Sequence, residues 1–173
     1  MLRDIEREFP SFRIVEKAGD PLSYAIDKAL RALTLGKQRH YLSRYHTVIG
    51  YTLYVPSCWG DEDAVDKIIL LRHERVHLRQ RKRYGMLSMS YRYLLWPLPV
   101  GLAYGRARIE WEAYEETLRA TYEWYGEAGL HSPALRRHII ERFTGPDYLW
   151  MWPFRKQLER WYDEAVAAIV ADG

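Results

Sequence analysis

Two histidines four residues apart, with a glutamate beside the first, constrain this chain more than any other stretch: His73-Glu74-Arg75-Val76-His77. In a helix the i, i+4 spacing stacks His73 and His77 on one face, where two neutral ring nitrogens can converge on one cation such as Zn²⁺. In an extended segment they would not. Glu74 flanks the meeting point, where a carboxylate can take a proton from water and pass it to a leaving group. With six histidines in 173 residues, composition alone gives roughly one to two chances in a hundred of this pattern. The pattern therefore asks for a helix, and then for a third ligand.

The neighbouring residues supply the helix. Asp61, Glu62 and Asp63 put negative charge at its N-terminal end after Gly60, and Arg79, Arg81, Lys82 and Arg83 suit the negative pole at the other end. Gly85 is the expected terminator. Val65, Ile68, Ile69 and Val76 fall at helical spacing with the two histidines, which predicts a metal face continuous with a core-facing one. The predicted helix covers residues 62–84.

Catalytic zinc takes three protein ligands and keeps one position for water. Residues 107–125 contain neither Gly nor Pro and carry apolar groups at Ile109, Ala113, Leu118, Ala120 and Trp124, so they read as a second long helix. Glu110, Ala113, Tyr114 and Thr117 share one of its faces, with a small residue at 113 to allow close approach, and Glu110 is the expected third ligand. Glu112 is the main rival but points to roughly the opposite side, and His131 and His138 are further rivals that the interruption at 126–133 would let fold back toward the site. Cys58, the single cysteine, precludes an intrachain disulfide and reads as a small packed residue, with capping of the metal as the alternative.

Taken together, His73-Glu74-Arg75-Val76-His77 and Glu110-Trp111-Glu112-Ala113 resemble the paired H-E-x-x-H and E-x-x-A motifs of the gluzincin zinc metallopeptidases, including the small stand-alone minigluzincins. The resemblance covers about residues 45–125. It implies His73, His77 and Glu110 as zinc ligands, Glu74 as general base, and a peptide or protein substrate. At Tyr114 the chain departs from the thermolysin-like members, which have there an Asp that orients a ligating histidine; Glu115 and Asp147 are the substitute carboxylates considered. Residues 45–56, rich in β-branched and aromatic side chains, read as a strand or a hairpin about Gly50. By the same resemblance, Thr52 to Val55 would offer an open edge to an extended peptide. Tyr114, Tyr122, His131 and His138 are candidate donors to a developing oxyanion, and none is singled out.

The remaining segments complete an α+β, mainly helical architecture, zincin-like under the resemblance, with a small sheet beside two metal-carrying helices. A strand is expected within 12–17, helices at 21–35 and 154–171, and a single domain over 1–173 with its core at about 45–125 and C-terminal helices at 132–171. Leu158, Trp161, Tyr162, Ala165 and Ile169 mark the buried side of the last helix.

Residues 91–104 are apolar but broken by Pro97, Pro99 and Gly101, too short for a membrane span; they read as a buried connection, or as a peripheral contact with membrane or protein. The basic run 79–83 raises nucleic acid as a partner. A net charge of only +3 and spread acidic residues argue against it as the primary one. Met1 to Phe9 lacks the apolar stretch of a secretion signal, so a cytoplasmic location is expected. The reading is a zinc-dependent peptidase. Its rivals are a catalytically inactive zincin-like metal-binding protein and a membrane- or nucleic-acid-associated binding protein whose histidines meet no metal.

Overall fold

The computed structural model describes residues 1–33, 41–85, 104–145 and 151–173. They form two compact units, Met1–Lys67 and Ile68–Gly173, in a mainly helical α+β fold with one small sheet.

In the first unit, α1 (Leu2–Glu8) leads to β1 (Arg13–Glu16), α2 (Pro21–Leu33), α3 (Tyr41–Arg44), β2 (Thr47–Ile49) and β3 (Thr52–Val55). Gly50 has φ 68° and turns β2 into β3 as a hairpin. The sheet order is β1-β3-β2, with β1 parallel and β2 antiparallel to β3. This corrects one expectation. Thr52–Val55 is the central strand and has no open edge, because Arg13–Glu16 occupies one side and Thr47–Ile49 the other. All four of its residues are buried, so both faces of this central strand are covered.

Lys17, which follows β1, is fully buried and donates to the carbonyls of Tyr41 at 2.9 Å and Tyr45 at 2.7 Å and to Thr47 Oγ1 at 3.2 Å. Burial lowers its pKa to about 8, with the Asp27 charge working the other way. Three oxygen acceptors make this buried cation tolerable.

A 3₁₀ turn (Ser57–Asp61) precedes α4 (Ala64–Tyr84), which begins in the first unit and continues into the second. Asp63 caps it: its Oδ1 accepts from the Val65 amide at 2.7 Å and the Asp66 amide at 3.4 Å. At the other end Gly85, with φ 77°, closes the last turn through its amide to the Arg81 carbonyl at 2.9 Å. The buried residues of α4 are Leu71, Glu74, Leu78 and Gln80. Val65, Ile68, Ile69 and Val76, expected to face the core, are only half-buried.

The second unit continues with α5 (Tyr104–Leu130), α6 (Pro133–Thr144) and α7 (Arg155–Asp172). Gly126, at φ 62° and ψ −161°, kinks α5 near its C-terminal end, a conformation suited to a residue without Cβ. Ser132 caps α6, its hydroxyl accepting from the Leu135 amide at 3.4 Å, and Pro133 opens the first turn.

The three helices enclose a core that includes Leu118, Leu130, Ile139, Phe143, Leu158 and Tyr162. Tyr162 also donates its hydroxyl to the Leu130 carbonyl at 2.8 Å, tying α7 to the end of α5. On α7 the buried side is Leu158, Tyr162, Val166 and Ile169, with Trp161 and Ala165 partly buried against it. Trp124, expected among the apolar positions of α5, is 51% exposed. Of the segment 91–104, residues 91–103 lie outside the described residues, as do Gly36 and Asp147.

Candidate metal centre

The H-E-x-x-H stretch lies within α4 as its spacing demands, and Glu110 lies six residues into α5 on the face it shares with Ala113, Tyr114 and Thr117, all four buried. The two imidazoles meet edge to face, with ring centroids 4.9 Å apart and planes at 78°. Their Nε2 atoms are 3.2 Å apart. Glu110 Oε2 is 3.8 Å from Nε2 of His73 and 3.7 Å from that of His77. Ligand atoms around a small tetrahedral cation with bonds of about 2.0–2.2 Å are separated by about 3.3–3.6 Å. The three donors are thus near the spacing for one cation, and His73, His77 and Glu110 could hold a metal ion.

The side chains are sheltered, with 12% of His73, 11% of His77 and 5% of Glu110 exposed. Burial and the neighbouring His77 lower the His73 pKa to about 3, so this ring is neutral across the physiological range. Burial acts in the same sense on His77, but the charge and hydrogen bond of Glu110 overcome it and raise that ring to about 9. A proton on His77 Nε2 can be shared toward His73 Nε2 and Glu110, the geometry that a cation would otherwise satisfy. Glu74 is also buried, 7% exposed. Burial pushes its carboxyl up to about 7; the His77 charge opposes this and the Glu110 charge adds to it. A carboxylate near neutrality beside two imidazoles can both accept and return a proton.

The outer contacts differ from those considered on sequence grounds. His73 Nδ1 lies 3.0 Å from Thr117 Oγ1, and His77 Nδ1 lies 3.0 Å from Gln80 Oε1. Tyr114 packs its ring edge-on against His73, with centroids 4.8 Å apart. Glu115 accepts instead from Trp161 Nε1 at 3.3 Å, and Glu112 from Gln80 Nε2 at 2.9 Å. His131, His138 and Cys58 are exposed and outside the ligand group.

Sequence reasoning placed Thr117 on the ligand face without giving it a role, and it missed Gln80. Gln80 could have been found as the residue three positions after His77, one helical turn away. Among the described residues, the pocket lined by Tyr84, Tyr104, Gly105, Arg108, Ile109 and Glu112 has a volume of about 320 Å³ and lies along the wall that Gln80 joins through Ile109 and Glu112. No helix among the described residues is long and apolar enough to cross a membrane. No family model, curated protein or solved structure matches this chain.

Proposed function

We propose that the protein is a zinc-dependent hydrolase acting on peptide bonds, with His73, His77 and Glu110 as metal ligands and Glu74 as general base. The observation that carries this reading is the convergence of two imidazole nitrogens and one carboxylate at 3.2–3.8 Å, with Glu74 buried beside them. Two histidines and one glutamate form a donor set that suits catalytic zinc and leaves one coordination position over. A bound cation supplies Lewis acidity toward water and toward a substrate carbonyl.

Glu74 does the proton work. With a pKa near 7 it is partly ionised at neutral pH, able to take a proton from water and return it to a leaving amine. The peptide bond as substrate rests on the resemblance of the motifs at 73–77 and 110–113 to those of gluzincins. Zinc held for structural purposes alone is the second reading. The observation that favours it is the replacement of a carboxylate by Tyr114 and Thr117 beside His73.

Elemental analysis of untagged wild type and His73→Ala comes first, with about one zinc per chain expected in the wild type and loss in the variant. Absence of zinc, including after incubation with the metal, would remove both readings. Next, Glu74→Gln is expected to keep its zinc while cleavage of an unfolded protein probe falls about 10²–10⁴-fold. Full turnover in that variant would refute the general-base assignment. A zinc-loaded wild type without turnover would select the structural reading.

A further inference from the structure

We infer that Thr117 and Gln80 are the positioning residues of this centre, each fixing the tautomer of one imidazole so that both Nε2 atoms are presented as ligands. The inference rests on the metal-site reading above and goes beyond it in naming the groups that set ligand direction.

Hydrogen-bond accounting carries it. The Thr117 hydroxyl donates to the Ala113 carbonyl at 3.2 Å, so its only hydrogen is committed. Toward His73 Nδ1 at 3.0 Å it then accepts, which places the proton on Nδ1, and the Ala113 backbone, which also hydrogen-bonds the His73 ring, shares in holding it. Gln80 is fixed by the same logic. Its amide nitrogen is 3.0 Å from the Ile109 carbonyl and 2.9 Å from Glu112 Oε2, both acceptors, and these use both of its hydrogens. The amide oxygen therefore faces His77 Nδ1 at 3.0 Å and receives a proton from it. Both rings are left with Nε2 toward Glu110.

The two clamps cross the helix pair in opposite directions. Thr117 reaches from α5 to a histidine on α4, while Gln80 reaches from α4 to the backbone of α5 and touches its own helix's histidine on the way. Gln80 is 3% and Thr117 9% exposed, so bulk water does not compete freely for either contact. Both partners are neutral. They orient the rings without adding negative charge, whereas a carboxylate in the same place would also raise ligand basicity.

Thr117→Val preserves side-chain volume and removes the acceptor, Thr117→Ser preserves the hydroxyl, and Gln80→Met preserves length without the amide. Zinc affinity is measured by chelator competition, and ring tautomers by long-range ¹H–¹⁵N spectra, with circular dichroism to verify folding. Thr117→Val and Gln80→Met are each expected to weaken zinc binding about 10–100-fold, with Thr117→Ser close to wild type. In zinc-free protein His73 is expected to carry its proton on Nδ1 in the wild type and to populate both tautomers in Thr117→Val.

Wild-type zinc affinity in both folded variants, together with a wild-type His73 tautomer in Thr117→Val, would overturn the inference. So would a wild-type His73 protonated on Nε2, a result that needs no variant to fold. If the wild type takes up no zinc, the metal reading fails separately, and the His73 tautomer still decides the assignment of Thr117.

Discussion

Toward α6 and α7, helix α5 buries Leu118 and Leu130 among Ile139, Phe143 and Leu158, an apolar packing in which the Tyr162 hydroxyl finds a carbonyl partner. Toward α4 it presents Glu110, Glu116, Thr117 and Glu123, and these meet His73, His77 and Arg72 through directional polar contacts. Tyr114 joins the two faces, its ring 4.8 Å from His73 on one side and 5.5 Å from Phe143 on the other. Apolar burial is non-directional and supplies stability in proportion to area. Polar contacts contribute less net energy, but they fix orientation. One helix thus carries the anchoring of the unit on one side and the aiming of its candidate ligands on the other.

Truncation on the apolar side has the largest expected effect on stability. Phe143 is fully buried, and Phe143→Ala is expected to cost about 3–5 kcal/mol whether or not zinc is present. Denaturant unfolding with and without added zinc measures this; a loss confined to the zinc-loaded form would mean that the two sides are not separable.

On the polar side, saturating zinc at about 100 times its dissociation constant is expected to stabilise the wild type by about 2.7 kcal/mol. Glu110→Ala should abolish that increment, and its survival would place the third ligand elsewhere. The thermal shift on adding zinc reads it directly.

The pH dependence sharpens the same comparison. Burial disfavours the His77 charge but Glu110 overcomes it, and the pKa is raised from 6.5 to about 9. A cation must displace this proton at neutral pH, so zinc affinity is expected to rise about tenfold, or 1.4 kcal/mol, per pH unit toward about 9 and then level off. In cation-free protein the sign reverses. The protonated pair stabilises the fold below about pH 6.5, and that contribution is lost as pH rises through about 9. Chelator competition across pH 6–10 tests the first statement, and a flat profile would show that His77 is not protonated in the free site.

The smallest effect is expected from Tyr162→Phe. It removes one hydrogen bond to the Leu130 carbonyl and should cost about 1 kcal/mol with zinc affinity unchanged.

Local chemistry accounts for what the sequence revealed. The Gly85 terminator, the hairpin at Gly50 and the i, i+4 histidines each act within a few residues of themselves and are found where expected, while the acidic run at 61–63 marks the start of α4 two residues early because Asp63 caps the helix from outside it. The shared face of Glu110 and Thr117 follows equally from helical periodicity. What escaped depends on pairing between distant segments. The parallel partnership of Arg13 with Thr52 makes β3 a central strand, and strand propensity alone carries no information about that neighbour. Thr117 and Gln80 acquire their roles only once α4 and α5 lie side by side, and a threonine or glutamine on a helix does not announce such a role. Trp124 is apolar by residue type, but it falls on the exposed side of α5.

The candidate ligands stand on two separate helices, His73 and His77 on α4 and Glu110 on α5. Any cation bound by all three closes the intervening chain into a loop, as a disulfide does, but with a bond set that opens and closes with the free concentration of the ion. Metal supply would thereby set the lifetime of the protein as well as its chemistry. Chains starved of the cation would spend more time unfolded and reach proteases sooner than loaded ones.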